Sequence, residues 1–189
     1  MSVVRTAVMV GVVRTTPRTR RLRLALAGGA FPFRAGQAVF AGLTGAATRA
    51  PYSIASAPSL GAAGMLELLV PADGAFGEAG LDPAAVTGAT LDLDGPLGGF
   101  GVPDAASAGP LLLVAGGTGI SPIRSVILDR LDRHAPGPAT LVYSVRTPDE
   151  FAFAARDTHQ LDEKELIGRA CAELIKPNQT LILDAGTTV

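Results

Sequence analysis

The sequence predicts a chain in two parts: an N-terminal antiparallel β-barrel, then a small α/β unit built on a parallel sheet. Three observations predict it. Short apolar runs separated by Gly and Pro fill the first half, and a strand, a Gly-rich turn, a helix and a second strand follow in the second. Composition agrees: hydrophobic residues make up 48 %, aromatics only 5 %, with no Trp, 23 Gly and 14 Pro. That suits many short elements joined by tight turns and argues against a helical bundle or coiled coil.

The barrel strands are read at Val3–Arg14, Arg20–Ala27, Gln37–Leu43, Tyr52–Ala57, Met65–Pro71 and Thr90–Leu93. In Arg21-Leu22-Arg23-Leu24 charged and apolar residues alternate with period two, the mark of a strand with one wet and one buried face. The same reading accounts for the cluster Arg14, Arg18, Arg20, Arg21 and Arg23 without an anionic partner. After Pro103 the pattern changes. Leu111–Ala115 reads as a buried strand, Pro122–Arg133 as an amphipathic helix and Thr140–Ser144 as a second strand. A helix between two parallel strands is the crossover such a sheet requires. The boundary falls in the small, Pro-containing stretch Gly101–Pro110, giving domains at residues 1–103 and 109–189.

Residues 157–189 differ in composition from the rest. Both Lys residues (Lys164, Lys176), the only Asn (Asn178) and the only Cys (Cys171) follow Gln160, whereas Arg is the sole long basic residue before it. The shift points to a segment of separate origin. It reads as a helix Asp162–Ile175, a Pro177-Asn178 turn and a strand Thr180–Leu183, the order needed to extend the parallel sheet by one unit.

Several function classes are excluded at this level. With 17 % charged residues and a net charge of -1, the chain carries no electrostatic footprint for nucleic acid. A single Cys excludes an internal disulfide framework, a thiolate zinc site and a Cys-ligated iron–sulfur cluster. A soluble, cytoplasmic protein of a reducing compartment is expected. The basic cluster follows the apolar start instead of preceding it, the wrong order for a secretory signal. The later apolar run Pro110–Ala115 is far shorter than the roughly 20 residues of a spanning helix.

The strongest local motif is Ala115-Gly116-Gly117-Thr118-Gly119-Ile120-Ser121-Pro122, after a buried strand and opening a helix. Glycines let the backbone turn sharply and approach a ligand that a Cβ would exclude. Ser121 is placed as the helix cap with Pro122 at the first helical position, so that free amides and the positive end of the helix face a phosphate. A turn that uses Gly for geometry alone is the alternative. The motif is not an NTPase phosphate loop, which ends in Gly-Lys-Ser/Thr, because no Lys precedes Lys164. Ser121 is not a hydrolase nucleophile, since Gly-x-Ser-x-Gly fails at Ile123. His134 and His159 read as solvated, and the sequence shows no paired acid and base and no metal cluster.

Two further motifs precede the boundary: Arg49-Ala50-Pro51-Tyr52-Ser53-Ile54-Ala55-Ser56 and Asp94-Gly95-Pro96-Leu97-Gly98-Gly99-Phe100. On the residues alone, Tyr52 is a strand-packing residue or a ligand platform, and Gly95-Pro96 a plain turn. With Phe33-Arg34-Ala35-Gly36-Gln37 and the stretch from Leu141 to Phe151, the three motifs in this order resemble the ferredoxin–NADP reductase-like flavoprotein superfamily over residues 1–156. The likeness is greatest to its bacterial oxygenase-reductase and flavin-reductase branches. The resemblance implies a flavin-binding barrel, for FAD or FMN, followed by a nicotinamide-binding α/β domain, for NADPH or NADH.

By that resemblance Tyr52 lies against the isoalloxazine ring and Ser53 hydrogen-bonds near flavin N5, the two residues nearest the chemistry. Gly74, Ala75 and Phe76 approach the flavin phosphates, and Gly95 and Pro96 belong to the cofactor-binding set through the third motif. Gly116, Gly117, Thr118 and Gly119 hold the dinucleotide's pyrophosphate. Ser144 and Arg146 stand where the family reads the adenosine 2′ position; an Arg there favours NADPH, because a guanidinium matches a phosphate. The alternative for Arg146 is a solvated strand end. Family members usually carry an Arg two residues before the Tyr, where this chain has Ala50. Arg49 is one residue off, and a one-residue slip turns a side chain to the other face unless a bulge restores its reach. Arg49 is then the candidate for the flavin phosphates.

The resemblance further implies that hydride passes from nicotinamide to flavin N5 and that electrons leave for a small-molecule or protein acceptor, with no nucleic acid or membrane involved. The segment from Lys164 through Asp184-Ala185-Gly186-Thr187-Thr188 resembles the opening of the sugar-phosphate-sensing domain of DeoR-type bacterial repressors, whose Asp-x-Gly-Thr-Thr turn helps bind a phosphate. It stands in place of the C-terminal segment with which the reductase family ends, often carrying Cys-Gly; Cys171 reads as a buried helix residue. Three readings remain open: a flavin-dependent NAD(P)H oxidoreductase whose activity the replaced C-terminus impairs or spares, a flavin- or nucleotide-binding module without turnover, and a phosphate-ligand sensor.

Overall fold

The computed structural model describes residues 4–72, 76, 87–103, 109–135, 137–145 and 180–184. The first sheet is antiparallel and contains β1 (Val4–Arg14), β2 (Thr19–Leu26), β3 (Ala38–Leu43), β4 (Ala50–Ser53), β5 (Met65–Pro71) and β6 (Thr90–Leu97), in the order β4-β3-β6-β1-β2-β5. Period-two patterning decides which side chains enter it. In β2, Leu22, Leu24 and Leu26 point inward and Arg21 and Arg23 outward. Each fully buried Leu contributes roughly 1.5–3 kcal/mol of transfer free energy.

In β1 the register against β2 shifts between Met9 and Gly11, a bulge that inserts one residue and changes which parity faces inward. Ala7 and Met9 are buried before it and Val12 after it, while Val13 turns out to solvent. The two edge strands meet at an isolated antiparallel bridge, Ile54 to Leu68, where the Ala55 amide donates to the Glu67 carbonyl at 2.8 Å.

The second sheet is parallel, with β7 (Leu111–Gly116) between β8 (Ala139–Ser144) and β9 (Thr180–Asp184). From β7 the chain passes through one turn of 3-10 helix, Gly117–Gly119, into α2 (Ile120–Asp132) and then β8. That is the strand–helix–strand crossover expected from the sequence. The backbone of β9 pairs with β7 from Leu111↔Thr180 to Ala115↔Asp184, so the tail strand extends the parallel sheet as expected.

β5 joins the two halves. Its sequence Met65-Leu66-Glu67-Leu68-Leu69-Val70 lacks the alternation of β2 because both of its faces are covered. Leu66, Leu68 and Val70 point into the core of the first sheet. On the other face, Leu69 packs in a second core with Ile120, Ile123 and Val126 of α2 and with Leu111, Leu113 and Ala115 of β7. No helix among the described residues is long and apolar enough to cross a membrane.

Four local expectations are corrected. The strand expected at Tyr52–Ala57 is β4, Ala50–Ser53, and a short helix the sequence did not suggest, α1 (Pro58–Ala62), follows it. Pro58 opens α1, where its missing N–H costs nothing, and a Cβ on Gly61 would lie 2.5 Å from the Phe31 carbonyl oxygen. β6 runs to Leu97 instead of ending at Leu93, because Gly95-Pro96 sits within the strand where the β3–β6 register shifts between Ala38 and Phe40. A Cβ on Gly95 would meet Val39 at 3.0 Å, so packing accounts for that glycine. Finally, α2 begins at Ile120, two residues before Pro122, and Ser121 is a buried residue of its first turn with Gly119 at the cap position. The 3-10 turn runs directly into the helix, leaving no place for a side-chain cap. Pro122 is still tolerated, since the first amides of a helix have no intrahelical partner.

Candidate functional site

The Gly-rich turn is held from below and open above. Ser144, half-buried at the end of β8, pairs with Gly116, and the neighbouring Tyr143 hydroxyl donates to the Gly117 carbonyl oxygen at 3.0 Å. Gly117 has φ +52°, a left-handed conformation that favours glycine. Gly116 has φ -126° and ψ 131°, which any residue can adopt. No atom lies within 4 Å of a Cβ placed on either one. At Gly116, therefore, neither conformation nor packing requires a glycine. What a Cβ would occupy there is open space beside the 3-10 turn that leads into α2, at the end of the helix that carries the positive end of its dipole. A diphosphate fits that space and the positive field at its edge, and Thr118, exposed on the turn, adds a hydroxyl.

The second cluster lies on β4 and is closed. Tyr52 is 9 % exposed and its ring packs on Phe76 with centroids 5.4 Å apart and planes tilted by 43°. Burial pushes the Tyr52 phenol above its usual 10.0, because the charged form would lose solvation. Ser53 is half-buried and pairs with Ala38, which pairs on its other side with Leu97. That brings the Tyr52-Ser53 motif to within one strand of Gly95-Pro96-Leu97. Gln37 ties the same three pieces together. Its carbonyl accepts from the Ile54 amide at 2.9 Å, its Nε2 donates to the Gly98 carbonyl at 3.1 Å, and its Oε1 accepts from the Arg34 amide at 2.7 Å.

Arg49 stands just before β4, 3.9 Å from the Asp92 carboxylate, with its side chain 35 % exposed. Pairing of β3 with β4 is regular from Ala41↔Ala50 to Ala38↔Ser53, so no bulge within β4 carries Arg49 onto the face of Tyr52; Ala50 shares that face. Among the remaining sequence-read positions, Gly74, Ala75 and Arg146 lie outside the described residues. So do the expected helix Asp162–Ile175, with Cys171, and the Gly186-Thr187-Thr188 turn. His134, at φ 50°, caps the end of α2 with its amide donating to the Leu131 carbonyl at 3.1 Å.

The two clusters are joined through Ala55, three residues beyond Tyr52. It is fully buried in the same core as Ala115 and Ile120, which flank the Gly-rich turn. A polar network that the sequence reading missed reinforces this contact. Glu67, 6 % exposed, accepts from Arg124 of α2 at 2.9 Å, with Arg23 at 3.5 Å and Arg21 at 3.9 Å on the same carboxylate. Arg124 also donates to the Ala55 carbonyl, and the Ser125 hydroxyl donates to the Ser56 carbonyl at 2.6 Å. A signal was present: Glu67 is the one charge in an otherwise apolar strand, and a buried charge demands a partner.

Residues 113–166 match the family model of the oxidoreductase NAD-binding domain. The chain is 37 % identical over 121 residues to methane monooxygenase component C of Methylosinus trichosporium, an alignment covering 64 % of this chain and 35 % of that protein. It is also 37 % identical over 131 residues to the ferredoxin–NAD(+) reductase component of the alkene monooxygenase system of Xanthobacter autotrophicus, covering 68 % of this chain and 39 % of that one. The chain thus spans well under half the length of these two curated relatives. The structure superposes on a ferredoxin NADP+ reductase from Neisseria gonorrhoeae, solved with bound FAD and NADP, with a TM-score of 0.73 at 21 % identity, over 94 % of this chain and 83 % of that one. In fold and in its NAD-binding match the chain is ferredoxin reductase-like, as its motifs implied.

Proposed function

We propose that this chain binds a flavin, FAD or FMN, and a nicotinamide dinucleotide, and passes reducing equivalents from NAD(P)H through the flavin to a small-molecule or protein acceptor. The observation that carries the reading is Gly116, a glycine that neither backbone nor packing demands, over a helix N-terminus in a segment matching an NAD-binding domain. The relatives support it: one is the ferredoxin–NAD(+) reductase component of an alkene monooxygenase system. Residues 1–103, with the antiparallel sheet taken as a barrel completed along the Ile54–Leu68 contact, form the flavin half, and residues 109–189 the nicotinamide half.

When bound, the flavin supplies a hydride acceptor at N5 and onward electron release. The protein's part is placement. Gly116, Gly117, Thr118 and Gly119 hold the dinucleotide's pyrophosphate. Ser144, beside Gly116, and Arg146 read the adenosine 2′ position, with Arg146 favouring NADPH. Tyr52 orients the isoalloxazine, Ser53 offers a hydrogen bond near N5, and Gly95-Pro96 shapes the strand behind them. Gly74, Ala75 and Phe76 line the flavin phosphates, and Arg49, just before β4, serves them only by leaving Asp92 and reaching round from the face opposite Tyr52. β9 gives β7 a parallel neighbour on its second side, which supports a working nicotinamide half with this C-terminus.

A second reading, cofactor binding without turnover, is favoured by one observation, the closure of Tyr52 under Phe76. A visible spectrum of the purified chain with FAD or FMN, followed by anaerobic NADPH, separates the two. A protein-bound flavin band that bleaches is the expected result. A bound band that stays leaves the binding module, and a chain that retains no flavin removes both readings.

A further inference from the structure

We propose that Glu67 and Arg124 are positioning residues, which fix the nicotinamide turn relative to the strand carrying Tyr52 and Ser53 and so set the distance over which hydride moves. The inference rests on the flavin and nicotinamide reading above and adds to it a device at neither cofactor site.

The geometry is that of a clamp. Arg124 lies four residues beyond Ile120, one helical turn from the Gly-rich turn. Its side chain is 14 % exposed, and one guanidinium nitrogen, Nη1, serves two targets: the Glu67 carboxylate of β5 at 2.9 Å and the Ala55 carbonyl beyond β4. The next residue, Ser125, donates to the Ser56 carbonyl at 2.6 Å. From the other side, the Ala55 amide donates to the Glu67 carbonyl at 2.8 Å and the Glu67 amide donates to the Ser56 hydroxyl at 3.1 Å. Residues 55–56 are therefore gripped between β5 and the first turns of α2. A second tie, from the Ser59 hydroxyl to the Asp132 carboxylate, holds the far end of the helix to α1.

Stability alone does not call for this arrangement. A buried charge pair is often matched or surpassed by apolar side chains of similar size, and Leu69 shows that the same face of β5 packs well against α2. What a guanidinium adds is direction, because the two N–H bonds of Nη1 are held in the guanidinium plane and aim at both acceptors, while the N–H bonds of a Lys ammonium rotate freely. Hydride transfer is the kind of step that rewards this: a misplacement of about 1 Å can cost on the order of 100-fold in rate.

The test uses the full chain loaded with flavin, in wild-type form and as Glu67→Gln, Arg124→Lys and Arg124→Ala. Four quantities are measured: the affinity for flavin, the affinity for NADP+, the change in the flavin absorption spectrum when NADP+ binds, and the limiting rate of flavin reduction at saturating NADPH. We expect affinities within about twofold of wild type, an altered NADP+-induced difference spectrum in all three variants, and a limiting rate lowered about tenfold or more by Arg124→Ala, with Arg124→Lys between. Should Arg124→Ala fail to fold, Arg124→Lys and Glu67→Gln carry the same comparison. Variants that melt earlier yet keep the wild-type difference spectrum and limiting rate make the clamp merely structural and overturn the proposal. A wild-type chain that binds flavin but whose flavin is neither perturbed by NADP+ nor reduced by NADPH overturns the functional reading itself, a failure visible before any variant is made.

Discussion

The Gly-rich turn and the Tyr52 strand are the two places we propose for the cofactors, and they differ in how their glycines and aromatics are used. At the turn, Gly116 and Gly117 face open space, and the supporting contacts come from Tyr143 and the strand pairing beneath. At β4 the side chains are spent on the protein itself: Tyr52 on Phe76, Arg49 on Asp92, and Gly95 against Val39. A residue type that packing already explains says little about ligands, whereas one that packing leaves unexplained says more. The half we propose for the nicotinamide thus declares its site more openly than the half we propose for the flavin.

Mutations test this contrast. The largest effect is expected at the contact that joins the two regions. Glu67→Ala leaves Arg124 buried against a lost partner and should lower unfolding free energy by about 3 kcal/mol in a denaturant titration. Phe76→Ala should cost a similar amount, about 3 kcal/mol, by opening the core around Tyr52. Next comes the turn. Gly116→Val should leave thermal stability within about 0.5 kcal/mol, since nothing lies near the new side chain. Yet it should weaken nucleotide binding about 100-fold, or about 2.8 kcal/mol, as read by calorimetry. A variant that melts much earlier would mean that Gly116 has a packing role after all.

The Tyr52 phenol provides a subtler probe. Its folded pKa is raised above the unfolded 10.0, so the stability linked to it is fully present below pH 10 and is lost as pH rises through the folded value. Phenolate absorbance should show one tyrosine ionising late, and Phe76→Ala should bring that step back toward 10.0 by readmitting water. The smallest effect is expected from Arg49→Ala. Loss of a half-exposed 3.9 Å pair should cost at most about 1 kcal/mol of stability, with a loss of flavin affinity of several-fold if Arg49 serves the phosphates.

Much of the fold was legible where one rule dominated. β2 showed its period-two alternation openly, and β5 was read at its observed limits because an apolar run flanked by Gly64 and Pro71 has few other meanings. The turn between β7 and α2 was legible because glycine, strand and helix signals coincided. The misreadings have physical causes. Gly95-Pro96 looked like a turn because a strand interior seldom accepts it, and only the register shift in β3–β6 makes room. Ser121 looked like a cap because the 3-10 turn that takes over the start of α2 leaves no local trace. α1 went unseen since five residues carry too little periodicity to stand out. At Glu67 the lone charge was legible but its partners were not: they come from Arg124, 57 positions away, and from two arginines that read as solvated.

One experiment sets the open region directly against the closed one. Wild-type and Gly116→Val chains, each loaded with flavin, are titrated anaerobically with NADPH while the flavin band is followed. We expect that both retain the flavin, that wild type bleaches, and that the variant stays oxidised until NADPH is about 100-fold higher. Equal bleaching of the two chains, or loss of flavin by the variant alone, would contradict that expectation.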